Sequence, residues 1–187
     1  AKKAGAELIV ECARLFSSLA TYDEERHRYD ILGVLGPDEY HDAYPDRDEP
    51  GLDNNAYTNV MTAWLMRMAL DTMDVLPTHQ RTELRDELGV TQDELRLWDD
   101  MSRRIFVPFH DGVISQFEGY AGLDELDWEA YRDRYRDIGR LDRILEAEGD
   151  SPNRYKLSKQ ADVLMLFYLL SSQELSALFE RLGYAFD

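Results

Sequence analysis

Residues 36–41 and 53–59, with the sequences GPDEYH and DNNAYTN, carry the side chains best suited to chemistry in this chain. Two adjacent carboxylates, Asp38 and Glu39, follow a Gly-Pro pair that predicts a turn, so both acids are expected on an irregular segment. Catalytic groups often lie on loops that a rigid scaffold holds in place. The mixture of carboxylates, amides and tyrosines is too polar for a core and indicates a sugar site.

The neighbours of the two acids bear on whether either could serve as an acid catalyst. A carboxylic acid that cleaves a glycosidic bond must be protonated at working pH, and a nearby carboxylate or apolar surroundings raise its pKa. Asp38 and Tyr40 would supply both influences. Asp38 or Glu39 could instead cap a nearby helix or turn, and composition alone does not separate the two interpretations.

Three segments together resemble glycoside hydrolase family 65, which contains the maltose, trehalose and kojibiose phosphorylases. They are the paired stretch just described, QFEGY at residues 116–120 and KQAD at residues 159–162, and they follow one another in the family's order. The resemblance extends over essentially the whole chain. It implies an all-α fold that forms about half of an (α/α)6 barrel of alternating inner and outer helices.

The resemblance also implies a domain organisation. In the family, a β-sandwich precedes the barrel. We therefore expect residues 1–187 to form a single partial domain, the C-terminal portion of the catalytic barrel, cut from something longer. The β-sandwich and the phosphate-binding segment of the parent are expected to be absent from this chain.

The activity that the resemblance implies is inverting phosphorolysis of an α-linked disaccharide, which releases β-glucose 1-phosphate. Glu39 matches the family's general acid, inorganic phosphate is the co-substrate, and no organic cofactor is required. The Ser-, Thr- and Gly-rich phosphate segment of the family has no counterpart here. Hydrolysis by a trehalase-like or kojibiose-hydrolase-like member of the same family therefore stays open, as does the choice of disaccharide.

Further sugar contacts follow from the same resemblance. Lys159 and Gln160 match the Lys-Gln pair that hydrogen-bonds the glucosyl unit, although Lys159 could simply solvate the start of a helix. Glu118 could make a second sugar contact or act as a structural anchor for a loop. Asn55 and Tyr57 could line the acceptor side of the cleft or only hold the Glu39 loop.

The hydrophobic pattern predicts the helices that must position these groups. Residues 54–73 and 160–170 are apolar around most of the helix circumference, which predicts inner helices. Asp53 is the expected N-cap of the first of them. Amphipathic segments, which predict outer helices, lie at 79–88, 94–105, 128–136 and 141–148.

Other elements are shorter or lie at the ends of the chain. A first helix is expected over residues 4–19 and a brief strand within 29–35. Two short strands or an extended loop are expected within 106–120, and a last helix after Ser171. Thr91 with Glu94, and Ser171 with Glu174, have the spacing of capping boxes.

Composition excludes several classes of partner. The chain has 187 residues and a formal net charge of −17, which argues against nucleic acid, because such binding depends on Lys and Arg. No apolar run reaches the length of a membrane span, so no membrane partner is expected. Cys12 is the single cysteine and excludes a disulfide within the chain. We expect a cytoplasmic protein.

Two other kinds of site have weak support. His110 and Asp111 lack a second His or Cys at ligand spacing, so no metal site is predicted. A nucleophilic serine is not indicated, because the chain contains no Gly-x-Ser-x-Gly sequence.

A different class of hypothesis is that the isolated chain is an inactive helical interaction module. Inner helices at residues 54–73 and 160–170 would expose apolar faces that other helices of a complete barrel cover. Such faces favour self-association into a homo-oligomer.

Overall fold

A computed structural model describes residues 2–47 and 49–185 of the chain. Within them it contains eight α-helices: α1 Lys2–Leu19, α2 Ala56–Val75, α3 Thr78–Leu88, α4 Gln92–Arg104, α5 Trp128–Arg134, α6 Leu141–Ala147, α7 Asp162–Leu169 and α8 Ser172–Leu182. Four short strands complete the described elements: β1 Ala20–Asp23, β2 Arg28–Ile31, β3 Phe109–His110 and β4 Val113–Ile114. Single turns of 3-10 helix cover Tyr120–Gly122 and Pro152–Arg154.

Helix α2 lies at the centre and contacts α1, α4 and α7. Val60, Ala63, Met66 and Ala69 on this helix are completely buried. From its start to Met73, Arg67 is the one exposed residue among the described positions. The prediction of an inner helix buried on nearly all sides is confirmed here.

Helix α7 is apolar as predicted, but it is buried on one side only. Leu166 is completely buried against α2, whereas Leu164 and Tyr168 are 65% and 88% exposed. Among the residues that the structure describes, α2 and α8 are the main neighbours of α7. No single helix of the described chain is long and apolar enough to cross a membrane, although α7 and α8, bent by 114°, reach that length and hydropathy together.

The amphipathic helices α4 and α8 pack against the same core. Trp98 and Met101 of α4 and Phe179 of α8 are completely buried. Both predicted capping boxes are present, because Thr91 and Ser171 each accept a hydrogen bond from the N–H of the glutamate three residues on and that glutamate's carboxylate accepts in return.

Two antiparallel hairpins connect the helices. The strand expected within 29–35 lies at Arg28–Ile31 and pairs with β1 from Ala20↔Ile31 to Asp23↔Arg28. The sequence did not indicate β1, because its residues are polar and lack the alternation of a half-buried strand. Two short strands or an extended loop are expected within residues 106–120, and the structure has two strands of two residues each, β3 and β4.

The N-cap of α2 corrects one prediction. Asn55, and not Asp53, caps this helix by accepting a hydrogen bond from the N–H of Thr58. Asp53 lies two residues too early and instead accepts hydrogen bonds from the N–H of Gly33 and from Arg47. Helix α3 starts at Thr78, directly after Pro77.

A small second core supports the segment that leads to residues 159 and 160. Leu126, Leu141, Leu145 and Leu157 form it, and Tyr40 packs against it from the loop that carries the two acids. Both segments of the candidate site therefore rest on the same cluster of leucines.

Candidate active site

The loop at residues 36–41 approaches the N-terminus of α2 closely. A Cβ atom on Gly36 would lie 2.3 Å from Asn55 Nδ2 and 3.0 Å from Asp162 Oδ2, so a side chain at Gly36 would collide with both. This close approach presents Asp38 and Glu39 on irregular backbone, as predicted, above the ends of α2 and α7.

Glu39 contacts the predicted Lys-Gln pair across 120 residues of sequence. Lys159 Nζ donates a hydrogen bond to Glu39 Oε2 at 2.5 Å. Gln160 Nε2 donates to Glu39 Oε1 at 2.5 Å, and Gln160 Oε1 accepts from the N–H of Glu39 at 3.0 Å. The Glu39 side chain is 60% exposed, so its carboxylate is accessible from solvent.

These contacts lower the pKa of Glu39. The hydrogen bond from Lys159 is the largest cause, followed by the hydrogen bond from Gln160 and the positive charge of Lys159. The expectation that Asp38 and Tyr40 raise this pKa is wrong for the free chain. The side chain of Asp38 is buried and has its own donors, so it does not share a proton with Glu39.

Asp38 is a buried junction between three segments. Its Oδ1 accepts hydrogen bonds from the N–H groups of Lys159, Gln160 and Tyr40 at 2.9, 3.2 and 3.3 Å. Its Oδ2 accepts from Gln116 Nε2 at 2.7 Å. The capping interpretation is thus correct for Asp38, although the amides that it caps belong to a distant turn.

The pKa of Asp38 falls to about 2. Burial is the largest influence and raises the pKa, but hydrogen bonds from His41, Gln116 and the N–H groups of Lys159 and Gln160 together outweigh it. Asp38 is therefore a carboxylate over the whole neutral range and has no proton to give.

His41 completes this junction and was not predicted to have a role. Its Nδ1 lies 3.2 Å from Asp38 Oδ2, and its Nε2 lies 2.9 Å from the carbonyl oxygen of Tyr155. The ring is 1% exposed and packs edge-on against Phe117 and Tyr120. Gln116 was missed as well; both residues stand inside the recognised motifs, which was the available signal.

Asn55 supports the site instead of facing it. Besides capping α2, its side chain donates to Asp162 Oδ2 at 3.0 Å, and it is 1% exposed. Burial raises the pKa of Asp162, and the hydrogen bond from Asn55 opposes this rise. Of the two roles considered for Asn55, these contacts support the holding of the Glu39 loop.

The contacts found for Tyr57 and Glu118 are with other parts of the fold. Tyr57 lines a mostly apolar groove of about 530 Å³ between α1, α2 and residues 34–35. The carboxylate of Glu118 accepts from Arg26 at 3.2 Å and from Asn54 Nδ2 at 2.7 Å. These are the contacts of a structural anchor.

The remaining chemical candidates are surface features. His110 Nε2 lies 3.4 Å from Asp111 Oδ2, and both side chains are largely exposed. No group of three or more His, Cys, Asp or Glu side chains in residues 2–47 and 49–185 could hold a metal ion. The built site is the one around Glu39.

Comparisons with known proteins show which family the chain belongs to. The family model described as "Glycosyl hydrolase family 65 central catalytic domain" matches residues 1–183. The chain belongs to glycoside hydrolase family 65. Its three motifs are the segments that meet around Glu39 and Asp38, so the resemblance found in the sequence corresponds to one place in the fold.

Relatives of this family-65 chain are longer proteins. An uncharacterised glycosyl hydrolase of Mycobacterium tuberculosis is 61% identical over 182 residues, which are 97% of this chain and 14% of the relative. A trehalose 6-phosphate phosphorylase of Lactococcus lactis is 36% identical over 182 residues, or 96% of this chain and 22% of the relative. The chain thus spans less than a quarter of the length of either relative.

A solved structure supports the fold. The chain named "Putative kojibiose phosphorylase from human microbiome" superposes with a TM-score of 0.71 at 22% identity, over 96% of this chain and 24% of that one. Together with the helical layers described above, this likeness confirms the predicted fold class, part of an (α/α)6 barrel.

Proposed function

We propose that this chain is the acid-catalyst portion of an inverting phosphorylase that cleaves α-glucosidic disaccharides. The single observation that carries the proposal is the contact of Glu39 with Lys159 and Gln160, since it joins an accessible carboxylate to two donors suited to sugar hydroxyls. The name of the Lactococcus lactis relative, a phosphorylase of a phosphorylated disaccharide, agrees with this reaction class.

In the proposed reaction, Lys159 and Gln160 hydrogen-bond the glucosyl unit. Glu39 donates its proton to the glycosidic oxygen while the bond from that oxygen to C1 breaks and its electron pair goes to the oxygen. An oxygen of inorganic phosphate forms the new bond to C1 from the opposite face of the ring. The products are the free second sugar and β-glucose 1-phosphate, and no organic cofactor or metal is needed.

Hydrolysis is the second candidate function, and the 61% identical Mycobacterium tuberculosis relative is named a glycosyl hydrolase. An inverting hydrolase needs a carboxylate base about 6.5 to 9.5 Å from the acid to activate water. Asp38 is a poor candidate for this base, because both of its oxygens already bind protein donors in a buried site. A base would have to come from another acid.

One assay separates the two reactions. The full-length protein that carries this chain is incubated with trehalose, maltose, kojibiose or trehalose 6-phosphate, each with and without inorganic phosphate. We expect turnover that requires phosphate, and NMR should show the β anomer of glucose 1-phosphate. Turnover unchanged by phosphate would defeat the phosphorylase assignment, and an α anomer would contradict inversion.

A further inference from the structure

The contacts of Glu39 in this structure hold it in a form that cannot act as an acid. Both carboxylate oxygens accept hydrogen bonds at 2.5 Å, one from the ammonium group of Lys159 and one from the amide of Gln160. A carboxyl group that has taken a proton cannot accept both bonds and keep the ion pair. The proposed function nevertheless requires Glu39 to carry a proton when the glycosidic bond breaks.

The other charged groups around this contact do not favour the protonated form. Arg140 also lowers the pKa of Glu39, and Asp142 pairs with Arg140 at 2.7 Å. Asp38 is the nearest carboxylate in sequence, but its charge is balanced by the donors that surround it. Tyr40 packs on the leucine cluster below. Lys159 therefore has the largest influence on the ionisation of Glu39.

Hydrogen bonds from main-chain N–H groups hold the segments of Glu39 and of Lys159 and Gln160 together. Asp38 accepts hydrogen bonds from the N–H groups of Lys159 and Gln160, and Gln160 Oε1 accepts from the N–H of Glu39. Leu157 and Tyr40 anchor the two segments on one apolar cluster. The two flexible side chains are thus brought to Glu39 by hydrogen bonds from main-chain N–H groups to side-chain oxygens, none of which uses Lys159 Nζ or Gln160 Nε2.

We propose that Lys159 and Gln160 keep Glu39 deprotonated until a sugar takes over their hydrogen bonds, so that substrate binding and protonation of the acid are coupled. This inference rests on the proposed function and assigns the two residues a role beyond holding the sugar. They hold the acid in its ionised form. They release it when hydroxyl groups of the glucosyl unit accept hydrogen bonds from the same two side chains.

The cycle balances in protons. When the sugar hydroxyls accept from Lys159 and Gln160, Glu39 loses its ion pair, and the bound sugar shields it from water. Both changes raise the pKa of Glu39, which then takes one proton from solvent. Glu39 gives this proton to the leaving oxygen as the bond to C1 breaks, and the carboxylate that remains pairs again with Lys159 after the products leave.

Calorimetry tests the coupling directly. The disaccharide that the full-length protein turns over is first identified, and its thio-linked analogue, which resists cleavage, is titrated at neutral pH in two buffers of unlike protonation enthalpy. We expect uptake of about one proton per bound analogue. The variant Glu39→Gln should bind the analogue with almost no uptake, because it has no carboxylate to protonate.

Two lysine variants separate the proposed effect of Lys159 on Glu39 from general effects of removing a charge. Lys156 pairs with Glu125 at 3.0 Å and has the same 29% side-chain exposure as Lys159, so Lys156→Met is the matched control and should behave like the wild type. At roughly pH 4.5, where an exposed glutamate that lacks the ion pair is about half protonated before the sugar arrives, Lys159→Met should bind with less proton uptake than the wild type. If this variant no longer binds, the wild type and Glu39→Gln decide the question alone.

The pH profiles give a second readout. The alkaline limb of kcat/KM reports the acid in the free enzyme, and that of kcat reports it in the complex. In the wild type we expect the alkaline limb of kcat/KM to lie at lower pH than the alkaline limb of kcat. In Lys159→Met the two limbs should lie closer together. Binding without proton uptake, beside normal turnover, would overturn this inference and leave the proposed function intact. No turnover of any disaccharide, with or without phosphate, would overturn both.

Discussion

Two neighbouring acids in this chain have opposite environments. The side chain of Glu39 is 60% exposed and faces two donors, whereas that of Asp38 is 2% exposed and lies among main-chain amides, Gln116 and His41. Both acids lie on irregular backbone with bends at residues 37, 39 and 40, and their side chains meet different partners. The carboxylate that positions the loop and the one proposed to react are therefore adjacent residues.

Glu39→Gln tests the reactive member. In the intact protein we expect kcat on the natural disaccharide to fall by roughly 10² to 10⁴, the usual contribution of a general acid, while most of the substrate affinity remains. Steady-state kinetics with inorganic phosphate, together with binding measurements, check this. Glu125→Gln, at an exposed surface acid, is the control. Retained cleavage in Glu39→Gln would point to another acid elsewhere in the full-length protein.

Asp38→Asn tests the anchoring member through stability. The pKa of Asp38 is about 2, below its value in an unfolded chain, so its ionisation stabilises the fold above pH 4 and this stability is lost as the pH falls toward 2. We expect the variant to lower the free energy of unfolding by about 2 kcal/mol at pH 7. Urea denaturation followed by tryptophan fluorescence measures it.

The pH dependence separates the charge of Asp38 from its shape. Between about pH 4 and pH 2 the difference between the wild type and Asp38→Asn should shrink, because the wild-type side chain then becomes neutral as well. A difference that stays constant over this range would show that packing, and not ionisation, accounts for the loss.

At the scale of elements, features that depend on neighbouring residues can be predicted from the sequence. Features that depend on distant residues cannot. Capping boxes at Thr91 and Ser171 and the apolar surface of α2 follow from residues within one helix, and the structure confirms them. The sequence predicts Asp53 as the N-cap of α2, and Asp and Asn have similar capping preferences. Whether Asp53 or Asn55 caps the helix depends on the contacts of each with its neighbours. Strand β1 is defined by its pairing with β2 and not by its own pattern.

The same distinction explains what could be predicted of the site. Glu39, Lys159 and Gln160 were found through motifs, and their meeting is observed. The direction of the pKa of Glu39 was predicted wrongly, because it depends on which atoms 120 residues away touch the carboxylate. No local pattern of sequence carries that information.

Gly36→Ala tests how the loop is joined to α2 and α7. The new methyl group would meet Asn55 Nδ2 and Asp162 Oδ2 within 3.0 Å, and both side chains are buried and hydrogen-bonded to each other. We expect a loss of about 1 to 3 kcal/mol in the free energy of unfolding from overpacking. Gly122→Ala is the matched control, since nothing lies within 4 Å of a Cβ there. Equal effects of the two substitutions would contradict the close approach.

At the scale of the whole molecule, the chain combines a buried centre with uncovered apolar faces. On α1, Leu8 and Leu15 are 65% and 56% exposed, and on α7 Leu164 and Tyr168 are 65% and 88% exposed. Soluble monomers seldom leave apolar residues clustered on the surface in this way. The relatives have residues beyond the part that matches this chain. In the isolated chain, the same apolar faces are open to contact with a second copy of the chain.

We expect the isolated chain to self-associate through the exposed face of α7. Replacing Leu164 and Tyr168 together with Lys should shift the monomer equilibrium by about tenfold or more, which corresponds to about 1.4 kcal/mol, because the change removes apolar surface from the contact. Light scattering over a range of protein concentrations measures this. The control replaces Val75 and Val113, which are 80% and 69% exposed at separate places, with Lys, so that net charge changes equally. A strictly monomeric wild-type chain, or a control that dissociates as readily as the α7 variant, would show that this face does not drive association.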